Sequence, residues 1–230
     1  MKGFELARRP VPMKTAEAIS EMIRERSLKP GDQLPSQREL SSDLGVSRPS
    51  LREALSMLET LGIINVQPGR GVFVAEERAA AGHEATWRFS DRYSLREVFE
   101  MRRAIEGAAA ALAMRHMDTA CIAAIEAMCR EIEAAAEARD VVRVAENDVR
   151  FHDLIFAHCG NRVFQDLHAQ LRRLLIESQQ VPMVERGRLV ETGVEHRRIA
   201  DAFRSGDAAA ARSAMEQHIQ GAAHRAGIAL

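Results

Sequence analysis

The sequence is poor in cysteine and has no long apolar run. Its 230 residues include three cysteines, Cys121, Cys129 and Cys159, which form no Cys-x-x-Cys pair and leave one thiol over in any disulfide scheme. The richest apolar run, residues 104–113, is interrupted by Glu106 and is too short to span a bilayer. The N-terminal residues lack the apolar core of a signal peptide. We therefore expect a cytoplasmic protein with free thiols and no membrane segment.

The sequence also lacks an excess of positive or negative charge, so the net charge does not indicate a class of binding partner. The net charge is −1. Residues 1–74 carry 11 Lys/Arg and 9 Asp/Glu, a balance of +2, and residues 75–230 carry 21 and 24, a balance of −3. This difference is too small to argue for nucleic acid by itself. The hydrophobic fraction of 46% is enough for a real core, and the length suits one large domain or two modest ones.

The residues after the N-terminus contain the apolar spacing, capping residues and glycine expected of three short helices. An amphipathic pattern predicts the first helix at residues 13–26. Ser36 and Glu39 have the spacing of a capping box, and the helix that they begin ends where Gly45 suits a left-handed residue. Ser47 can cap the next helix within a few residues. Two short helices joined by a tight glycine-containing turn predict a helix-turn-helix.

A β-hairpin is predicted directly after these helices. The apolar runs at residues 63–66 and 72–74 flank the glycine-rich tip Gln67-Pro68-Gly69-Arg70-Gly71. Such a hairpin is typical of the wing of a winged helix-turn-helix. Residues 1–12 lack periodicity and are interpreted as a loose arm.

Arginines lie on the outer face of the predicted second helix of the helix-turn-helix. Arg48 and Arg52 are four residues apart, so they share one face, opposite Leu51 and Leu55. Side chains near the start of such a helix read bases in the major groove, and arginine offers a bidentate fork to guanine. Arg38, on the preceding helix, can reach phosphate or base.

The stretch LPSQRELSSDLGVSRPSLREALSMLETLGIINVQPGRGVFV resembles the winged helix-turn-helix of GntR-family transcription regulators. Caps, turn residues, arginines and wing agree in order. The resemblance implies that double-stranded DNA is a partner and that Arg38, Arg48, Arg52 and Gly69 are DNA contacts. We include Ser47, at the start of the recognition helix, among the candidate DNA-binding residues. Gly69 would allow the wing tip to approach the minor groove closely.

Helical patterns dominate the rest of the chain. We therefore predict a mostly α protein: a winged helix-turn-helix at residues 1–74, a linker at 75–93, and an all-helical domain at 94–230. The linker shows no clear period, although part of it can pack on a domain. The predicted helices of the second domain span residues 94–116, 118–138, 140–159, 162–180, 185–205 and 207–226.

Polar side chains lie within the apolar stripes of four of these helices. Asp148 and His152 lie one turn apart on the inward face of one helix, and a buried carboxylate and imidazole must be paired, hydrogen-bonded or bound to metal. In an isolated helix, a structural Asp–His pair is the commoner explanation. His196 and His218 lie in the stripes of two further helices, and Arg102 with Glu106 in a fourth. Together they predict a common polar cavity, in which one Asp and three His suit a divalent transition ion with open positions.

Two further segments, DVRFHDLIFAHCGN and EHRRIADAFRSGDAAAARSAMEQH, resemble the all-helical FCD effector-binding domain of the FadR-type branch. The resemblance implies a divalent metal, Zn²⁺ first and Ni²⁺ or a similar ion second, on Asp148, His152, His196 and His218. It also implies that Arg102 binds the carboxylate of a small effector acid.

The expected function is that of a DNA-binding transcription regulator, a repressor released from its operator by a small carboxylic acid. We expect a homodimer on a palindromic operator, because one helix-turn-helix contacts few base pairs. Two alternatives remain open. The metal itself could be the signal, or the open metal positions could activate water in a metal-dependent hydrolase. Glu106 is the only inward carboxylate left over as a general base, so we do not expect an enzyme.

Overall fold

A computed structural model describes residues 10–76 and 87–230. The chain divides into two compact units, Met1–Glu77 and Arg78–Leu230. Residues 1–9 of the predicted arm and residues 77–86 of the predicted linker lie outside the described residues. The domain boundaries drawn from the sequence stay a prediction.

The first unit contains helices followed by a two-stranded antiparallel sheet. Its elements are α1 (Val11–Glu25), α2 (Gln37–Asp43), α3 (Arg48–Thr60), β1 (Ile64–Gln67) and β2 (Gly71–Val74). Helix α1 begins at Val11, so the prediction of a loose arm is wrong for the last residues of that stretch. Pro12 is accommodated because the first turn of a helix needs no backbone N–H from it.

The helix-turn-helix has the predicted caps. The Ser36 backbone N–H donates to Glu39 Oε2 at 2.8 Å, and the Glu39 N–H donates to Ser36 Oγ at 3.3 Å. Gly45 follows α2 with a φ of 62°, and Ser47 Oγ accepts from the N–H of Ser50 at 3.3 Å. The predicted capping box and left-handed glycine are therefore confirmed.

The wing is a short hairpin with a three-residue loop. Strand β1 pairs with β2 in a register that matches Ile64 with Val74 and Gln67 with Gly71, so the strands extend further toward the tip than predicted. The N–H of Leu34 donates to the carbonyl of Val72 at 2.9 Å, which joins the chain before α2 to this sheet. The predicted wing is confirmed.

The second unit is helical throughout its described elements. They are α4 (Leu95–Ala113), α5 (Thr119–Glu137), α6 (Val141–His158), α7 (Arg162–Gln180), α8 (Leu189–Ser205) and α9 (Ala208–Arg225), with two 3₁₀ helices, Val181–Val184 and Arg186–Arg188, between α7 and α8. The predicted helix at 185–205 therefore begins four residues later. Asp118, Asp140, Asn161 and Asp207 cap the helices that follow the predicted breaks.

The core of the second unit brings inward faces of its helices together. Helix α4 packs against α9, and α5 packs against both α6 and α8. Phe99, Phe151 and Phe203 are fully buried in this core. Trp87 is buried with them, and its indole N–H donates to the carbonyl of Tyr93 at 2.6 Å. The last part of the predicted linker is thus part of the second unit.

Among residues 10–76 and 87–230, no helix has the length and hydropathy needed to cross a bilayer.

Candidate functional site

Four buried side chains from three helices converge inside the second unit. Asp148 and His152 come from α6, His196 from α8 and His218 from α9. One ligand atom from each can be chosen so that all four lie within 4.8 Å of one another. The side chains that the sequence predicts to share a cavity therefore do share one, which we call the Asp–His cluster.

Each histidine of the cluster has an acceptor beside its Nδ1 atom. His196 Nδ1 lies 2.8 Å from the carbonyl oxygen of Thr192. His218 Nδ1 lies 2.9 Å from Glu195 Oε2, and His152 Nδ1 lies 2.6 Å from Glu106 Oε2. Since a carbonyl or carboxylate oxygen can only accept, the proton of a neutral His196 or His218 ring belongs on Nδ1. The lone pair of these two rings is then on Nε2, as in histidines that bind metal. The contact of His152 Nδ1 with Glu106 is short but lacks hydrogen-bond geometry.

The inner atoms of the cluster fit a cation. His196 Nε2 lies 3.2 Å and His152 Nε2 lies 3.9 Å from Asp148 Oδ1. Both nitrogens are fully buried and make no hydrogen bond to a described residue. A lone pair that faces a carboxylate at this distance is repelled unless a cation or a proton lies between them. Three imidazole nitrogens and one carboxylate oxygen are a donor set that suits Zn²⁺, Ni²⁺ and similar ions.

Burial and neighbouring charges shift the pKa values of the groups in and around the cluster in different directions. Burial would raise the pKa of Asp148, but the adjacent His196 and the two other histidines hold that pKa below the usual range. Burial would likewise raise the pKa of Glu106, yet Arg102 and His152 lower it to about 2. Burial and the neighbouring His196 lower the pKa of His218 to about 4, so this ring is neutral at neutral pH. The pKa of His152 is raised, because the attraction of Glu106 outweighs burial.

Arg102 lies beside the cluster with part of its guanidinium uncommitted. Its side chain is fully buried on α4, and Nε donates to Glu106 Oε1 at 2.7 Å. Nη1 is buried and has no hydrogen-bond partner among the described residues. Arg102, Asp148 and His218 line one small cavity. A cationic donor thus shares this cavity with two members of the cluster.

Sequence reasoning missed four polar residues around the cavity, one of which is Thr192 of α8. Arg225, on α9, forms a bidentate ion pair with Glu195, and both N–O distances are 2.7 Å. Gln179, at the end of α7, also lines the cavity. Arg225 could have been found, because it follows His218 by seven residues and so returns to the same helix face. Glu195 directly precedes His196, so a single inward stripe does not contain both residues.

The candidate DNA-binding residues of the first unit are all exposed. Arg38, Arg48 and Arg52 form no ion pair with any residue of the described ranges. Ser47 is already engaged as a helix cap, with Ser50 Oγ 2.9 Å from its hydroxyl. Gly69 lies at the wing tip with a φ of 73°, which favours glycine there. The three guanidiniums are therefore available to an external anion.

Comparison with protein families assigns both units. Residues 97–221 match the FCD domain, which is more than half of the chain, and residues 13–74 match the bacterial regulatory proteins of the gntR family. The chain belongs to the GntR family, with a C-terminal FCD domain. This regulator is also similar over 94% of its length to the HTH-type transcriptional repressor NanR of Cronobacter sakazakii, with 29% identity and 87% of the relative covered. NanR of Escherichia coli K12 is 28% identical over 95% of this chain and 85% of its own.

Solved structures of this family share the fold. McbR/YncC of E. coli matches with a TM-score of 0.52 and 18% identity, over 93% of this chain and 95% of its own. A GntR regulator of Rhodococcus sp. RHA1 matches with a TM-score of 0.51 and 19% identity, over 94% and 97%. The predicted class, a winged helix-turn-helix followed by a helical domain, is therefore confirmed.

The assignment gives the general function of this regulator. It is a DNA-binding transcription regulator and not an enzyme, as its relatives are named as repressors. FCD domains bind small-molecule effectors and often metals, and the Asp–His cluster lies in that domain.

Proposed function

We propose that this regulator is a repressor that leaves its operator when a small carboxylic acid binds beside a metal ion in the FCD domain. The observation that carries the proposal is the buried Nη1 of Arg102, which has no hydrogen-bond partner in residues 10–76 and 87–230 and shares a cavity with Asp148 and His218. A guanidinium donor without an acceptor destabilises a core, so the site is suited to an anion that supplies one.

The metal would be held by Asp148, His152, His196 and His218. Zn²⁺ is the first candidate and Ni²⁺ the second, because imidazole suits both ions. When bound, the ion acts as a Lewis acid with positions left for oxygen donors. The outer acceptors keep the three imidazole rings oriented, so the binding atoms are preorganised before the ion arrives.

Arg102 would bind the carboxylate of the effector. Its Nε is committed to Glu106, which fixes the guanidinium plane, while Nη1 remains to donate. A planar guanidinium suits a carboxylate better than an ammonium does. An acid held between the metal and Arg102 would tie α4 to α6, α8 and α9. These contacts would exist only in the effector-bound state, and an allosteric shift requires such a difference between two states.

Two other functions are less well supported. A regulator that senses the metal alone would have no use for the Nη1 donor of Arg102, for which no described residue is an acceptor. A metal-dependent hydrolase would need a free general base, but Glu106 is engaged by both Arg102 and His152. An enzyme is also excluded by the family.

The proposed form on DNA is a homodimer on a palindromic operator. Arg38, Ser47, Arg48, Arg52 and Gly69 would contact each half-site, and two-fold symmetry would double the contact. The repressing action is inferred from relatives that are named as repressors. Sedimentation in which the protein stays monomeric at micromolar concentration, with and without its operator, would contradict the dimer.

The effector site is tested by two variants with different expected failures. The operator is first selected from a pool of random duplexes, and Zn²⁺-loaded protein is then titrated with small carboxylic acids. Arg102→Ala should keep metal and operator binding yet lose the response to the acid. Arg102→Lys, which keeps the charge beside Glu106 but not the fork, should give the same loss if the alanine variant folds poorly.

His196→Ala should lose metal affinity as well as the response, since it removes one ligand atom. Arg103→Ala, on the exposed face of the same helix as Arg102, is the control and should respond normally. A wild-type response from Arg102→Ala, or from metal-stripped protein, would show that the proposed bridge is wrong.

A further inference from the structure

The wing of the first unit ends in a tight turn with one charged side chain. The N–H of Arg70 donates to the carbonyl of Gln67 at 3.0 Å, and this bond closes the turn over Pro68 and Gly69. Proline and glycine have no side-chain donor, so Arg70 is the one residue of the tip whose side chain can donate a hydrogen bond. Arg70 is exposed, and the proposed operator contacts do not include it.

The side chain of Gln33 holds this turn from outside the hairpin. Its Nε2 donates to the carbonyl of Arg70 at 3.0 Å, and Gln33 forms a β-bridge with Phe73. The same amide fills the space beside Gly71, since a Cβ atom added there would lie 2.5 Å from Gln33 Nε2. Gly71 has a φ of 129°, so both its backbone and its lack of a side chain favour this arrangement. The wing tip is thus fixed to the segment that leads into α2.

Arg70 lies beside an aromatic ring and keeps its donors for an external partner. Its Cζ atom lies 6.0 Å from the centroid of the half-buried Phe73 ring, at the outer limit of a cation–π contact. Within residues 10–76 and 87–230, no carboxylate forms an ion pair with Arg70. A contact with a ring face uses none of the N–H groups of the guanidinium. The hairpin therefore presents a cationic hydrogen-bond donor at its tip.

The minor groove of DNA is the surface that this tip fits. The groove is about 6 Å wide, and a turn without long side chains at Pro68 and Gly69 can approach it. Runs of A·T pairs narrow the groove and strengthen its negative potential, which attracts arginine. At an A·T pair the minor groove displays only acceptors, whereas a G·C pair adds the N2 amine of guanine, a donor. A guanidinium has donors only, so A·T pairs match it and G·C pairs oppose it.

We propose that Arg70 enters the minor groove beside each half-site and selects A·T pairs there, and that Gln33 is the positioning residue that holds the wing tip for this contact. The inference rests on the proposed operator contacts, because it takes α3 to lie in the major groove with Gly69 against the DNA. Arg70 is then a specificity-determining residue that reads a different groove from Arg48 and Arg52.

The test distinguishes the two grooves by the choice of base pair. An operator is selected from random duplexes, and A·T pairs next to the bases read by α3 are replaced by G·C or by inosine–cytosine pairs. Inosine lacks the N2 amine, so an inosine–cytosine pair resembles A·T in the minor groove and G·C in the major groove. We expect a G·C pair to weaken binding about tenfold and an inosine–cytosine pair to weaken it about twofold or less.

Variants then assign this discrimination against G·C to the two residues. Arg70→Ala should reduce it from about tenfold to about twofold or less, because the side chain that meets the amine is absent. Gln33→Met has a similar length but no donor, so the turn is held less firmly and the discrimination should fall to about threefold. In the Arg70→Ala protein, Gln33→Met should have no further effect on it, because Gln33 acts through Arg70.

Two controls separate this role from a loss of charge or of stability. Arg26→Ala removes the same charge from an exposed position after α1 and should keep the full discrimination against G·C. Gln33→Met should keep the melting temperature of the wild type and the base discrimination of α3. A displaced wing tip leaves both unchanged, whereas a destabilised domain does not.

The outcomes separate this inference from the operator contacts on which it rests. The inference is overturned if inosine–cytosine weakens binding as much as G·C, or if no position prefers A·T, because the minor groove is then not read. It is also overturned if Arg70→Ala keeps the full discrimination, or loses affinity evenly across sequences with a smaller salt slope, as a phosphate contact would. If Gln33→Met keeps the full discrimination, Gln33 has no positioning role. If no operator is selected, or if Arg52→Ala binds like the wild type, the proposed operator contacts fail as well.

Discussion

At the scale of single residues, Glu195 connects two buried side chains, His218 and Arg225, at the edge of the Asp–His cluster. Its Oε2 accepts from His218 Nδ1 at 2.9 Å, and its two oxygens accept from Arg225 at 2.7 Å each. Arg225 and His218 together lower the pKa of this carboxyl to about 2 against the effect of burial. Glu195 is therefore ionised and holds the His218 ring with its Nε2 atom free for a metal.

Glu195→Gln should weaken metal binding without removing a metal ligand. The amide is a poorer acceptor for His218, and Arg225 loses its charged partner. Loss of a residue that hydrogen-bonds a metal-binding histidine typically lowers metal affinity about 10–100-fold. Competition with a chromophoric chelator for Zn²⁺ measures the change. Glu133→Gln, which breaks a partly exposed ion pair between α5 and Arg197 of α8, is the control. Equal Zn²⁺ affinity in the two variants would count against the role of Glu195.

At the scale of elements, α7 is joined at its C-terminal end to the segment that precedes α4. The N–H of Arg88 donates to Glu177 Oε1 at 2.9 Å, and Trp87, beside it in the chain, is buried in the core. Glu177 lies two residues before Gln179, which lines the cavity. The segment that precedes α4 and the lining of the cavity thus both contact the last turns of α7.

Glu177 should make the stability of the FCD domain depend on pH. Burial raises the pKa of this carboxyl in the folded state. The pKa of Glu177 is therefore higher in the folded protein than in the unfolded chain, where it is about 4.3. Such a group contributes its full stabilisation below a pH of about 4.3, and this contribution is lost as the pH rises through the pKa of the folded state. Glu177→Gln keeps an acceptor but cannot ionise. The variant should therefore gain stability relative to the wild type as pH rises from about 4 to 7.

Calorimetric unfolding of both metal-free proteins across this pH range measures the difference. Glu177→Ala also cannot ionise, but it leaves the Arg88 N–H without this partner and should cost about 0.5–1.5 kcal/mol relative to Glu177→Gln. A difference between wild type and Glu177→Gln that does not change with pH would contradict the assigned cause.

At the scale of the whole molecule, the first unit presents a surface for DNA because its core fixes one face of α3. Leu51, Leu55 and Leu58 are buried, which leaves Arg48 and Arg52 exposed on the other face. In the proposed dimer, this surface is present in two copies, at a spacing that the operator matches. Changes at Arg52 should therefore act on DNA and leave the metal site unaffected.

Arg52→Ala should cost about 1–3 kcal/mol in operator binding if Arg52 makes a bidentate contact with a base. Specificity should then relax at one base pair in each half-site. Arg52→Lys is the matched control, because it keeps the charge and loses the fork. If Arg52 contacts only phosphate, the alanine variant should instead lose affinity evenly across sequences and have a smaller salt slope. Competition with single-base operator variants distinguishes the two results.

Much of the fold could be predicted from the sequence because its signals are local. A cap needs only a side chain and the backbone three residues away, so Ser36 with Glu39 could be identified without a structure. The inward direction of Asp148, His152, His196 and His218 follows from helical period, since each shares a face with apolar neighbours. These residues do converge, as the stripes of one bundle must meet in one core.

The contacts within the site could not be predicted, because they depend on which helices face each other and no local sequence pattern contains that information. The acceptor for His152 comes from α4 and the one for His218 from α8, so the orientation of both rings depends on packing between helices. The burial of Trp87, Gln179 and Arg225 likewise depends on residues distant in the chain. Sequence alone determined that the four side chains of the Asp–His cluster turn inward, and the tertiary structure decided what each one meets there, because a hydrogen bond depends on the position of both partners.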